Sequence, residues 1–149
     1  MDAVKLLKQD HDRVKELFAR YEDTGERAHK TRQRIAEQMF QELEAHTRIE
    51  QEIFYPAIEE ADRELHEMVA EGIQEHHIVD VLMQEMRQLP PDSEEYDAKF
   101  KVLQESVAHH IAEEEREMFP RAKEKLGERM AALGERMAAR KQELLAATS

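Results

Sequence analysis

The stretch His110-Ile111-Ala112-Glu113-Glu114, followed at a distance by Pro120, decides how this chain is read. On an α-helix, side chains at i and i+4 lie one above the other on one face, so His110 and Glu114 can reach a single point. The same unit stands 64 residues earlier, as His46-Thr47-Arg48-Ile49-Glu50 followed by Pro56. Both copies read H-x3-E-x5-P. A proline has no N–H to give a helix, so each copy is expected to end or kink at its proline.

The repeat extends outward from the motif. Upstream of each copy lies an apolar stripe with one histidine in its middle. In the first half it is Val4, Leu7, His11, Val14, Phe18 and Tyr21, and in the second Val69, Gly72, His76, Val79, Met83 and Met86, an offset of 65 throughout. The stripes carrying the motif match too, Met39, Leu43, His46, Glu50 and Phe54 against Leu103, Val107, His110, Glu114 and Met118. Such internal self-similarity marks a duplicated supersecondary unit. Here the unit is a helical hairpin.

Asp2 is placed to cap a first helix that Gly25 stops, and a second helix starts near Lys30. A third runs from about Asp62 to Arg87, and Pro90-Pro91-Asp92-Ser93 forms the clearest loop before a fourth. The fold class is all-α, an up-down-up-down four-helix bundle of duplicated hairpins plus a C-terminal fifth helix. Residues 1–121 form the bundle and 122–149 an extension, in which a seven-residue unit occurs twice, Gly127–Leu133 and Gly134–Arg140. Two heptads fall short of a coiled coil. The extension is therefore expected to lie on the bundle, with a homo-oligomer contact as its alternative role.

Composition agrees: 38% of the 149 residues are charged, and Gly and Pro number four each. Without cysteine there is no disulfide, thiolate site or thiol nucleophile. A net charge of −12 argues against nucleic acid and against anionic membranes, since both are bound through neutralising cations. With no long apolar run and no apolar leader, a cytoplasmic protein is expected.

A single histidine on an apolar stripe is usually a satisfied core residue. Four histidines and two glutamates at repeat-related positions are another matter, because each buried carboxylate costs several kcal/mol unless something compensates. Free imidazoles, with pKa near ~6.5, are mostly neutral at pH 7 and cannot be counted on as the compensating charge. His11, His46, Glu50, His76, His110 and Glu114 are therefore the candidate metal residues. Six donors exceed one tetrahedral zinc. They suit two metals, each with two histidines, spanned by both carboxylates, and mixed imidazole and carboxylate donors suit iron or manganese.

These residues, with Phe54-Tyr55-Pro56 and Phe119-Pro120 after the paired motifs, resemble the haemerythrin-like (HHE cation-binding) domain family over roughly residues 1–121. The resemblance implies a non-haem centre of two iron ions with an oxo or hydroxo bridge, in preference to manganese or zinc. It implies a small-molecule partner: oxygen, nitric oxide or peroxide. Family members also sense oxygen or iron, or repair iron centres, so iron storage, sensing or repair is the alternative, and a metal-free helical interaction protein the second. Whether the chain is an enzyme, decomposing peroxide or acting on nitric oxide, is left open.

The sequence departs from the oxygen carriers of that family in two places. They have an H-x3-H pair on the third helix and an Asp in the last motif, where this chain has Gly72 and Glu114. By the resemblance, each iron then keeps an open position, which favours peroxide or nitric oxide chemistry over reversible oxygen carriage. Gly72 is expected to leave space for a small molecule or for another side chain such as a tyrosine. His77 and His109 fall beside the stripes, with repeat partners Asp12 and Ala45, and are read as flanking. His29 and His66 are placed at loops, and Glu113 and Glu115 on an exposed charged face.

Overall fold

A computed structural model describes residues 1–148. Helix α1 (Ala3–Glu22) and helix α2 (His29–Ile49) form the first hairpin, and α4 (His66–Arg87) and α5 (Glu94–Glu113) the second. Asp2 caps α1, its Oδ1 accepting from the Lys5 amide at 2.9 Å, and Ser93 Oγ caps α5 through the Tyr96 amide at 3.2 Å. Between the hairpins lie a short α3 (Tyr55–Ala61) and one 3-10 turn (Arg63–Leu65); after α5 come α6 (Phe119–Leu126) and α7 (Arg129–Thr148).

Neither motif proline ends its helix. Glu50–Phe54 and Glu114–Met118 are instead single π-helical turns, closed by the Tyr55 and Phe119 amides donating to the Glu50 and Glu114 carbonyls. Pro56 and Pro120 follow at once, within the first turn of α3 and α6, where a missing N–H is tolerated. A π turn stacks residue i+5 over residue i. It therefore brings Tyr55 over Glu50 and Phe119 over Glu114, on the inward face.

The apolar core falls into two clusters. One holds Val14, Phe18, Met39, Phe40, Met83, Phe100 and their neighbours, towards the hairpin loops. The other holds Leu7, Phe54, Tyr55, Val69 and Phe119, with Met130, Leu133 and Met137 from α7. Between these two layers, at one level of the bundle, lie His11, His46, Glu50, His76, His110 and Glu114, all buried.

Helix α7 lies along α1 and α2, so its repeated Met and Leu positions face its own bundle. Gly127, at φ +50°, makes the turn into it, a backbone conformation that side chains disfavour. Gly134 permits the approach: a Cβ there would collide with the Met1 carbonyl oxygen and come within 2.7 Å of the Ala3 amide nitrogen. Lys141, one turn from the end of this contact, reaches inward to the buried Asp10 carboxylate at 2.5 Å. Among the described residues, no helix is long and apolar enough to cross a membrane.

Candidate metal centre

The six residues separate into two triads whose donor atoms lie within 4.8 Å of one another: His11, His46 and Glu114, and Glu50, His76 and His110. The duplication carries one triad onto the other, His11 to His76, His46 to His110 and Glu114 to Glu50. Each triad thus takes both histidines from one hairpin and its carboxylate from the other. The hairpins are stitched together at this level by the site itself.

Each carboxylate also reaches the other triad. Glu114 has Oε1 at 3.2 Å from His11 Nε2 and Oε2 at 3.3 Å from His110 Nε2. Glu50 Oε1 lies 3.1 Å from His76 Nε2 and 3.2 Å from His46 Nε2. The π turns begin at these two glutamates, directly after the regular α2 and α5. Such turns inside long helices occur often at functional sites.

All four imidazoles point the same way round. Each donates from Nδ1 to a polar side chain outside the centre and turns Nε2 inward. His46 donates to Asp10 at 2.8 Å, and His110 to Glu75 at 2.6 Å. His11 donates to Glu115 at 2.9 Å, and His76 to Gln51 at 2.7 Å. A carboxylate or amide oxygen can only accept, so the outer proton is fixed on Nδ1 and the inner nitrogen's lone pair is free whenever the ring is neutral. That outer bond is the usual support of a metal-binding histidine.

Helix periodicity alone passes over this outer set and puts Glu115 on an exposed face; it is half-buried and anchors His11. The duplication does hold the signal. Asp10 and Glu75 stand at the offset of 65, each immediately before a site histidine, and Gln51 and Glu115 at the offset of 64, each immediately after a site glutamate. Among the other histidines, His77, His109 and His66 are exposed, and His29 opens α2, outside both triads.

One pair breaks the symmetry. Phe119 stacks on His11 with ring centroids 5.6 Å apart, and its repeat partner Tyr55 stacks on His76 at 5.5 Å. Only Tyr55 has a hydroxyl, which donates to Glu114 Oε2 at 2.9 Å and lies 3.3 Å from His76 Nε2. Burial, reinforced by Glu50 and Glu114, pushes this phenol well above its ordinary range, so it keeps its proton. Gly72, the partner of Leu7, gives the hydroxyl its place. Of the two occupants expected beside Gly72, a small molecule or a tyrosine, the structure has the tyrosine.

A cavity lies on the opposite side of the polar layer. About 20 Å³ in volume, it is lined by all four site histidines and, across from them, by Val14, Leu43, Val79, Val107 and Ile111. That is room for about one water-sized molecule. A solvent-open groove between α2 and α4, lined by Arg48, Gln51, Ile73 and His77, comes up to the outer edge of His76.

In the metal-free chain the electrostatics differ from the expectation of neutral imidazoles. Burial alone pushes His46 and His110 down. The carboxylates outweigh it: Glu50 and Asp10 raise His46 to about 10, and Glu114, Glu50 and Glu75 raise His110 to about 12. Two imidazolium protons thus stand in for a cation there. They do not complete the site, because His46 Nε2 and Glu50 Oε2 are buried without a hydrogen bond of acceptable geometry. Nε2 of His76 and of His110 also converge to 3.2 Å, and Glu50 Oε1 lies 3.1 Å from the former. A buried ring nitrogen and a buried carboxylate oxygen left without partners fit a pair of cations better than protons.

The Hemerythrin HHE cation binding domain family model matches residues 2–122, and the chain belongs to that family. It is also similar to the crystal structure of a Hemerythrin HHE cation binding domain-containing protein from Mycobacterium kansasii. The two are 26% identical with a TM-score of 0.84, over 99% of this chain and 89% of the other, so the likeness includes α7. No curated protein matches. The two His/Glu clusters are consistent with a di-iron site of the hemerythrin-like kind.

Proposed function

We propose that this chain is a non-haem di-iron protein that binds or reacts with oxygen, nitric oxide or peroxide. His11 and His46 hold one iron, His76 and His110 the other, and Glu50 and Glu114 span both. The support for spanning carboxylates is that each glutamate faces histidines of both triads at 3.1–3.3 Å. An iron pair held there would supply Lewis acidity and one-electron redox steps that no side chain here can. The protein's own part is orientation, exclusion of water and control of protons.

Those roles fall to identifiable groups. Asp10, Glu75, Gln51 and Glu115 lock the four rings so that little motion is lost on binding metal. The wall of Val14, Leu43, Val79, Val107 and Ile111 excludes bulk water from the small cavity. Tyr55 holds a proton at its hydroxyl and directs it to Glu114 Oε2. The observation that carries the small-molecule reading is the cavity of about 20 Å³ against all four histidines, room on the scale of one small molecule.

A ferritin-like iron oxidase is the weaker reading. That class uses Glu-x-x-His on facing helices, and the one such spacing, Glu26-x-x-His29, falls at the loop before α2. The test is an optical spectrum of the iron-loaded protein, oxidised and reduced, with oxygen, nitric oxide and peroxide added in turn. A new band with at least one of them supports the proposal. Unchanged spectra with all three, in protein holding two irons, contradict the small-molecule role.

A further inference from the structure

Outside the centre, a third group of donors stands on the surface of the second hairpin. His109 and Glu113, four residues apart on α5, meet Glu75 from α4, with donor atoms within 4.8 Å of one another. His109 Nε2 is 3.1 Å from Glu113 Oε1 and 3.9 Å from Glu75 Oε2. The His109 side chain is 66% exposed, whereas the two carboxylates are half-buried. An imidazole and two carboxylates from two helices form an N,O,O face open to solvent on one side.

The pseudo-two-fold relation shows what this face lacks. Glu75 is the repeat partner of Asp10, and each accepts from the Nδ1 of a site histidine. Asp10 has a second, cationic partner in the Lys141 ammonium from α7. Among the described residues, helix α7 packs chiefly on α1, α2 and the π turn that follows α2. Among the described residues no Lys or Arg pairs with Glu75, whose outer oxygen lies 3.9 Å from His109 Nε2 instead. Where one half of the molecule has an ammonium, the other presents three metal-type donors.

A small pit lies at the same place. About 10 Å³ in volume, it is lined by Glu75 and Glu113 at its half-buried rim and by Gly72, His110 and Glu114 at its buried end. A cation held by Glu75 would therefore stand next to the inner centre, separated from it by the His110 ring.

We infer that Glu75, His109 and Glu113 form a third, surface site for a divalent cation, and that ferrous iron is captured there on its way to the buried centre. The loading role rests on the di-iron reading above; the surface site itself does not. Three protein donors, with water completing the shell, make a site weaker than the inner one, as delivery requires. The overall charge of −12 favours cation capture.

The test has two arms, each on the full chain, with His109→Ala and Glu113→Gln as variants. Both side chains are outside the buried centre and leave the Glu75 bond to His110 in place. In the first arm the metal-stripped chain is dialysed against zinc and the bound metal counted. Wild type is expected to hold one more zinc per chain than either variant. Equal counts overturn the site, and leave Glu75, His109 and Glu113 as an ion-paired surface cluster.

In the second arm ferrous iron is added anaerobically to the stripped chain, and the rise of the iron-centre spectrum is followed. The variants are expected to load about tenfold more slowly or worse, the lower end of what electrostatic focusing does to on-rates, and to reach the wild-type end point. Equal rates overturn the loading role even where the extra zinc is lost. If wild type itself forms no iron centre, the di-iron proposal fails instead, and the zinc count still decides the surface site.

Discussion

The Tyr55 hydroxyl occupies the space that Gly72 leaves by having no side chain: a Cβ at Gly72 would stand 2.8 Å from the hydroxyl oxygen and 3.2 Å from the carbon bearing it. The two residues lie 17 positions apart in sequence, on α3 and α4. Their repeat partners, Leu7 and Phe119, share one buried cluster and combine a larger aliphatic residue with a ring that has no hydroxyl.

Gly72→Ala should therefore destabilise the protein, although alanine is the better helix former by ~1 kcal/mol. Overpacking against a buried ring costs roughly 1–3 kcal/mol and outweighs that gain. In a Tyr55→Phe background the nearest contact is gone, and the same substitution should cost less. A thermal-melt cycle over the four proteins measures the coupling. Equal costs in both backgrounds would mean that Gly72 is not there for the hydroxyl.

Tyr55→Phe alone removes the one donor to Glu114 Oε2 from outside the histidines. The variant should still bind two irons and should show a shifted optical spectrum, because the carboxylate oxygen it frees is one proposed to span the metals. Stability should fall by about 1–2 kcal/mol, the usual effect of losing a buried hydrogen bond. A spectrum and melting temperature identical to wild type would remove Tyr55 from the account.

Lys141 links the C-terminal helix to the centre through Asp10 and His46. Burial pushes the Asp10 carboxyl up, but His46 and Lys141 outweigh burial and hold it below its ordinary value. Lys141→Met leaves that carboxylate with one partner fewer. Breaking a fully buried pair costs roughly 3–5 kcal/mol; Lys141 keeps some solvent contact, so about 1–3 kcal/mol is expected here. Denaturant melts of the iron-loaded protein test this, and truncation before α7 should cost more than the single substitution.

Much of the fold and of the centre is legible in the sequence. The two offsets, 65 for the lone-histidine stripes and 64 for the paired motifs, define four helices, their pairing and the six central residues, because a duplicated pattern repeats both packing and polar exceptions. The π turns are not legible there. A proline after H-x3-E announces a break, and only tertiary packing decides that a wide turn absorbs it. Tyr55 lies five residues beyond Glu50, and helix periodicity places i+5 off the face unless that turn is known. Asp10, Glu75 and Glu115 are hidden for another reason. In a chain with 34 acidic residues, a carboxylate beside a site residue looks like solvated surface until its partner helix is in place.

Stability should depend on pH with opposite sign in the metal-free and iron-loaded forms. Without metal, His46 at about 10 and His110 at about 12 both lie above their unfolded value near ~6.5. Their contribution is then fully present below pH ~6.5 and is lost as pH rises through about 10 for His46 and about 12 for His110. Iron must displace those protons, so its affinity rises over the same range and falls in acid. Melts of chelator-stripped protein should drop from pH ~6.5 to ~10, while the iron-loaded protein loses stability below pH ~6.5. Parallel pH curves for the two forms would contradict the assignment of His46 and His110 as shared between protons and metal.

The central claim, two irons spanned by Glu50 and Glu114, is tested most directly by the iron content of the protein reconstituted anaerobically, alone and with Glu114→Ala. The account predicts two irons per chain in the wild type and fewer than two in the variant, since that carboxylate faces both triads. One iron or none in the wild type, or two retained in the variant, would contradict it.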